Sequence, residues 1–571
     1  VLLVLAGLCL YLPGLFSIPP IDRDEPRFAD ASRHMLESDD WHAYVVPQYR
    51  ERPRLNKPPL VYWLQVAALS LTGGGQAAPA GDTSSAPLLL TDDIWIYRLP
   101  SVLAAIAAML LTWRLGRDLF GGSVGLLAAL LLGASAVVMF DARQARADQV
   151  LLALTTLAQL AMWHVWRRST AGRPTAYWTI VFWIAVGLGT LTKGPVTPGV
   201  VGATLLALCV GTGRWRWLGR LRPLVGIAAV LLVAGAWLGL VAQQVGWATC
   251  WRTFLAEVPG RAVMSREGHG GWPGYYLVLL PVLFWPGSLA LVPALGRAVR
   301  RGLRRSPAGD ASRTVRRRRW QPGRPAEFFC LAWLVPSWVV FELLRTKLPH
   351  YTMPLYPALA LLCARALFAG GGLWRPMLQN VAGRVALWGW LLLGELMALG
   401  LPLGLIAFGD WRPEPALVAA VVAALVVVQL LLVLLFGLLR RRRFLHAQVV
   451  GLAVAVVSFA VVAQGLLPHL HALWLGSRVA ARLAQIDPSS SRPLAIVGDA
   501  EDSLVFLAGR PVQELSPAEA QDWLVGTPHG LLIVDGVSTQ LPPLTAPLAA
   551  VEGFNYSNGA WQRLTIVQLA P

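Results

Sequence analysis

Asp22–Pro59, DRDEPRFADASRHMLESDDWHAYVVPQYRERPRLNKPP, holds eight carboxylates and seven Lys or Arg residues directly after an apolar run, Val1–Ile18. A segment this polar cannot follow its neighbour into lipid, where ionised groups are costly. It belongs at the membrane surface. Its density of paired charge fits one wall of an active site better than a linker.

Outward from this stretch the chain is hydrophobic up to about Leu467. Of 571 residues, 56% are hydrophobic and 14% charged, with a mean hydropathy of +0.55. Soluble domains carry about 25% charged residues, so the composition is that of an integral membrane protein. The 25 Trp residues suit the interfacial belts of a bilayer. The net charge of +18 does not point to nucleic acid, because the basic residues cluster between apolar runs. Eleven Arg and one Asp lie from Arg297 to Ala326, and Arg440–Arg443 forms a second cluster. Five scattered cysteines (Cys9, Cys209, Cys250, Cys330, Cys363) show no metal-ligand or disulfide spacing. The chain begins at Val1 rather than Met, so a short N-terminal piece is expected to be missing. The first apolar run has no small-residue cleavage site and reads as a retained span.

Runs long enough to cross a core about 30 Å thick are expected near 1–18, 94–114, 122–140, 149–166, 176–192, 195–212, 222–244, 274–296, 327–344, 353–369, 385–408, 415–438 and 446–467. That predicts an α-helical polytopic membrane protein of about 13 transmembrane helices. With the N-terminus inside, every strong basic cluster falls in the cytoplasm, as the positive-inside rule requires. The outer catalytic loop 19–93 and the region 468–571 are then extracytoplasmic, the latter a small soluble α/β domain. Its expected strands are Pro493–Val497, Leu531–Val534 and Leu564–Val567, with a helix at Pro517–Leu524. GDAED (Gly498–Asp502) reads as a turn and only weakly as a phosphate loop. Asn555-Tyr556-Ser557 fits a glycosylation tripeptide that also arises by chance, and Gly73–Pro87 is expected to be flexible.

The outward gaps hold the remaining unusual polar residues: Arg143, Arg146 and Asp148 in DARQARADQ, Lys193 in TKGP, Glu257–His269, and Arg345, Lys347, His350 and Tyr351 in RTKLPHY. Charges at span ends persist when they pair or work, and several loops converging on one face favours work.

The ordered set RDEPRFADASRHMLESDDW, NKPPLVYWLQ, YRLPSVLAA, ARQARADQVLLAL, LTKGPV, EGHGGWPGYYLVLLPVLFWPGS and KLPHYTMPLYPALALL resembles the bacterial branch of the protein mannosyltransferase-like superfamily (GT-C, glycosyltransferase families 39 and 83). Its best-known members are the aminoarabinose transferases that modify lipid A. The resemblance covers essentially the whole chain. It implies thirteen spans, an outer C-terminal α/β domain, and an inverting transferase in the bacterial inner membrane with a periplasmic active site. The implied donor is a sugar on undecaprenyl or another polyprenyl phosphate, and the implied acceptor is lipid A or another envelope lipid or glycan. Transfer to a protein Ser or Thr is the alternative within the fold; a lipid-linked sugar transporter is the alternative outside it. The sugar itself stays open.

By the same resemblance Asp24 matches the acidic residue of the first outer loop and is, with Asp148, a candidate catalytic group. The other readings are an ion pair of Asp24 with Arg23 or Arg27, and of Asp148 with Arg143 or Arg146. Glu25 is an acceptor-side or loop residue, read as structural at the helix start. Lys57, held extended before Pro58-Pro59, and Lys347, Tyr351 and Arg345 are candidates to hold the carrier phosphate. Lys193 and Arg146 are further donor-binding candidates, Lys193 equally a turn residue and Lys57 alternatively a snorkelling lysine. His350 is a possible interface cap. His269 matches a zinc-binding position of some relatives, whose partner is a Glu just before the KPP lysine. Here that place is Asn56, so no cofactor is expected to be required and no tightly bound metal. Glu342 departs from the family pattern and is expected to pair with Arg345 at i,i+3.

Overall fold

The computed structural model describes all residues except 22, 51, 74–92, 258–259, 261–269, 304–323, 371–372, 375–377, 499–500, 537–544 and 571. The chain is mostly helical. In order it forms α1 (Leu2–Tyr11), α2 (Asp24–Glu37), α3 (Leu60–Thr72), α4 (Ile94–Phe120), α5 (Gly122–Gly133), α6 (Ala136–Asp141), α7 (Asp148–Thr170), α8 (Ala176–Lys193), α9 (Val196–Thr212), α10 (Pro223–Val245) and α11 (Trp247–Glu257). Further long helices follow at Pro325–Leu343, Pro415–Arg440 and Phe444–Ala460.

Helical structure lies within each expected span without always filling it; in 1–18 the helix stops at Tyr11. Among the described residues six helices are long and apolar enough to cross a membrane, or seven if Tyr275–Leu283 and Gly287–Gly302, bent by 118°, make one crossing. Several others are short, including α1, α5 and α9. The helices pack closely where side chains vanish. A Cβ on Gly116 of α4 would stand 2.5 Å from Gly125 Cα of α5, the small-residue contact by which membrane helices approach.

The charged loop is built rather than loose. Asp24 and Glu25 open α2, where carboxylates complement the helix dipole. A short hairpin of β1 (Gln48–Tyr49) and β2 (Arg52–Pro53) leads to α3, which Gly73 ends at φ +70. The segment expected to be flexible lies, beyond Gly73, outside the described residues.

After the helix Leu475–Ile486 the chain forms a mixed five-stranded sheet in the order β4 (Val512–Leu515), β3 (Leu494–Val497), β5 (Leu531–Asp535), β7 (Ala560–Leu569), β6 (Thr545–Asn555). β3 lies parallel to β4 and β5, while β7 is antiparallel to both its neighbours. Period-two alternation sorts the inner strands onto two faces. Leu494, Ile496, Leu531 and Ile533 pack on Leu475–Ile486, and Ala495, Val497, Leu532 and Val534 pack on Ala520–Gly526. The expected strands lie within β5 and β7 and, but for Pro493, within β3; β4 and β6 carry more exposed residues and were not anticipated. Asn555 is buried and bonds Gln562, so the glycosylation tripeptide is a turn here.

Candidate active site

Two cavities meet at one set of polar side chains. The first, of about 620 Å³, is lined by Asp24, Lys57, Asp141, Arg146, Asp148 and His350 among others. The second, of about 890 Å³, is mainly apolar, with Trp183, Val200, Ile227, Leu231, Trp237 and Phe254 in its wall. Asn56, Lys57, Asp148, Lys193, Thr346 and Tyr351 line both. An apolar chamber thus opens onto a charged one through a neck holding two ammonium groups.

Arg146 is the hub. Its Nη2 lies 3.6 Å from Asp24 Oδ2 and 3.6 Å from Asp148 Oδ2, and its Nη1 lies 3.7 Å from Asp141 Oδ1. Arg146 Nη2 also donates to His350 Nε2 at 2.9 Å. A guanidinium only donates, so the imidazole accepts there. Burial, with Arg146 and Lys193 beside it, holds the His350 pKa well below its ordinary value against the pull of Asp148. Lys193, the last residue of α8, donates to Asp148 Oδ1 at 2.6 Å and stands 4.9 Å over the Tyr351 ring. Gly194 turns the chain there with φ +58.

Asp24 sits at the start of α2 with its side chain 40% exposed to the first cavity. Its second neighbour, Arg54 Nη2, lies 3.6 Å from Oδ1. Burial opposes its charge, but Arg146, Lys57, Arg54 and Lys193 together outweigh that and hold the carboxyl well below the usual carboxylate range. The alternative partners turn elsewhere: Arg27 bonds Asp502 and Arg23 bonds the Ser557 carbonyl. Arg143 likewise leaves Asp148 alone, donating to the carbonyls of Pro13, Met139 and Leu10.

Glu25 is structural. It is fully buried against Arg98, with Arg98 Nε–Oε1 at 2.8 Å and Nη2–Oε2 at 2.9 Å. Glu25 also accepts from the Ile21 and Ala145 amides, while Arg98 donates to the carbonyls of Leu15, Ile18 and Pro19. The five guanidinium donors are met.

The KLPHY edge divides between the cavity and the helix before it. Tyr351 and His350 line the first cavity, but Lys347 and Arg345 line neither. Lys347 is buried and donates to the carbonyls of Phe341 (3.2 Å) and Glu342 (2.7 Å), capping the helix Pro325–Leu343. Arg345 faces outward. Glu342 does not pair with Arg345. It accepts from the Gly274 and Leu277 amides, the start of the helix Tyr275–Leu283, and lies 3.7 Å from Lys347. Lys57 occupies a bend rather than an extended strand. Asn56 accepts from Arg54 Nε at 3.3 Å, and His269 lies outside the described residues.

Asp141, Arg54 and Arg98 were not picked out from the sequence. Asp141 and Arg98 stand inside quoted motifs, and a charge within an apolar helix was the available signal for Arg98.

Residues 85–239 match the family described as dolichyl-phosphate-mannose-protein mannosyltransferase. The undecaprenyl phosphate-alpha-4-amino-4-deoxy-L-arabinose arabinosyl transferase of Edwardsiella ictaluri is 27% identical over 355 residues, 62% of this chain and 56% of that protein. Its namesake in Pseudomonas aeruginosa is 28% identical over 375 residues, 63% of this chain and 59% of its own length. The chain thus matches little more than half the length of these relatives. ArnT from Cupriavidus metallidurans, solved bound to undecaprenyl phosphate, overlays with a TM-score of 0.74 at 21% identity, covering 100% of this chain and 98% of that one. The archaeal oligosaccharyltransferase AglB from Archaeoglobus fulgidus overlays at 0.52 with 10% identity, covering 94% and 68%. The fold is that of ArnT, and the likeness to the mannosyltransferase-like superfamily and the aminoarabinose transferases is borne out.

Proposed function

We propose that this chain, a polytopic membrane protein with the ArnT fold, is an inverting glycosyltransferase that moves a sugar from an undecaprenyl-type phosphate to an envelope acceptor such as lipid A. The observation that carries the reading is the shared neck, where Lys57 and Lys193 stand between an apolar chamber and a chamber holding Asp24. The apolar chamber takes the polyprenyl chain, and its phosphate rests at the neck. The sugar then projects toward Arg146, Asp148 and Asp24. An acceptor oxygen attacks the anomeric carbon while the bond to phosphate breaks on the opposite face, and the leaving electron pair stays on the polyprenyl phosphate. Lys57 and Lys193 neutralise that phosphate as it departs; such preorganised charge typically contributes about 2–4 kcal/mol per contact.

Asp24 is a poor base, because its neighbouring cations keep it ionised. That favours an acceptor already anionic, as a lipid phosphate is, over a Ser or Thr hydroxyl. Asp24 then positions the acceptor and stabilises positive charge on the sugar ring. The cations supply what the leaving phosphate needs, and Asn56 offers no acidic ligand beside Lys57, so the reaction in this reading requires no cofactor or resident metal.

In this reading the chain crosses the bacterial inner membrane thirteen times, with the site and the C-terminal sheet on the periplasmic face. Support comes from α4, which runs from its start beside the site, through Arg98, to Arg114 and Arg117 at the other end. Its 27 residues span roughly 40 Å. The test is transfer of labelled sugar from a polyprenyl-phosphate donor into lipid by the purified protein. Asp24→Asn should lower kcat roughly 100- to 1,000-fold, and label appearing in protein instead of lipid would overturn the acceptor assignment.

A further inference from the structure

We infer that Asp502, in the C-terminal sheet region, is a positioning residue that sets the spacing between Asp24 and Lys57. Asp502 opens the helix Asp502–Ala508 and is buried. Its Oδ2 accepts from Arg27 Nε at 2.8 Å. Its Oδ1 accepts from Arg50 Nη2 at 3.2 Å and from the Tyr49 hydroxyl. Those donors come from two different pieces of the outer loop. Arg27 lies three residues after Asp24 on α2. Tyr49 and Arg50 form the hairpin whose second strand runs on through Arg54 to Lys57.

One carboxylate therefore ties together the segment carrying the acid and the segment carrying the phosphate-facing lysine. The two segments also meet directly, where Arg54 stands 3.6 Å from Asp24 and 4.6 Å over the Phe28 ring, and Asp502 adds a tie from outside the loop. Arg50 holds a left-handed φ of +51 at the hairpin tip and also pairs with Glu514 on β4, so the tip is anchored both to β4 and to the helix Asp502–Ala508. A second contact seats the helix from the apolar side. Phe506 meets Tyr97 edge-on at 5.7 Å, Arg33 Nη1 donates to the Phe506 carbonyl at 3.1 Å, and the Arg33 guanidinium lies 4.9 Å over the Phe506 ring. The apolar contact holds the sheet region against α2. The Asp502 carboxylate then sets where α2 and the hairpin sit relative to each other. GDAED, which read as a turn with a weak phosphate cue, serves at its last residue as this tether.

The inference deepens the transferase reading and rests on it for its kinetic arm. The experiment compares the full-length protein with Asp502→Asn and Tyr49→Phe by hydrogen exchange and by steady-state transfer. Asp502→Asn should speed exchange about tenfold in peptides covering 24–37 and 48–57 and leave the sheet strands protected. The same variant should lower kcat about tenfold or more while the donor KM stays within about twofold, because a misplacement of 1 Å suffices for such a loss. Tyr49→Phe, which removes one of three donors and keeps the charges, should show the same pattern at smaller amplitude and guards against a variant that misfolds. Unchanged exchange in both loop segments, or an unchanged kcat in a loosened loop, overturns the inference. Absence of sugar transfer by the wild-type chain would instead overturn the transferase reading, and the exchange arm would still decide whether Asp502 positions the loop.

Discussion

Asp24 shows how one residue takes its character from its neighbours. An isolated carboxyl titrates at about 3.9, but four cations lower the folded value of Asp24. The sign follows directly. A depressed pKa contributes stability that is fully present above the unfolded value and is lost only as pH falls toward the folded value. With the side chain 40% exposed, solvent screens that contribution. The consequence lies in rate. Transfer by the wild-type protein should show no acid limb near the ordinary carboxylate value, read from kcat in buffers descending from neutral to about pH 4. A limb there that vanishes in Asp24→Asn would mean that Asp24 works as a base after all.

Single elements explain why two lysines with similar motif settings differ. Lys193 ends α8, and its side chain points to the neck, where Asp148 holds it at 2.6 Å. Lys347 follows the helix Pro325–Leu343 and turns back onto that helix's terminal carbonyls. A cation at a helix C-terminus satisfies orphan carbonyls and the dipole together. Lys193→Met should therefore weaken donor binding or kcat by roughly tenfold or more, while Arg146, still facing the buried Asp148, limits the loss of melting temperature. Lys347→Met should do the reverse, costing about 1 kcal/mol or more of stability while the donor KM holds. Thermal unfolding in detergent beside donor titrations separates the two.

On the scale of the whole molecule, the Arg98–Glu25 pair gathers four parts of the chain. It joins the turn that follows α1, the start of α2, the middle of the assembly through α4, and the backbone of the 141–148 turn that carries Arg146. Breaking a buried pair strands the remaining charge and typically costs about 3–5 kcal/mol, whereas replacing both partners by apolar groups is far milder. Arg98→Met should yield poorly folded protein in detergent, judged by size exclusion. The double variant Arg98→Met with Glu25→Leu should recover a monodisperse peak. Equal damage from single and double variants would argue that the carbonyl contacts of Arg98, not the ion pair, hold the parts together.

The apolar runs, the basic clusters between them and the polar Asp22–Pro59 segment determined that this is a polytopic helical membrane protein with a charged loop near its start. Hydropathy and charge are local properties, legible residue by residue. The ordered motifs also carried the fold and brought Asp24, Lys57, Asp148, Lys193 and Tyr351 within reach as candidates, which the structure gathers around one pair of cavities. What the sequence could not decide was direction. Arg146 faces three carboxylates while Arg143, three residues earlier, faces carbonyls; Lys347 turns away from the neck and Tyr351 toward it. Those choices depend on which buried acceptors stand opposite each side chain, and the acceptors come from segments far apart in the chain. Asp502 is the plainest case, an acid at the end of a short turn motif whose partners lie more than 400 residues away. Only the packed tertiary structure sets them face to face.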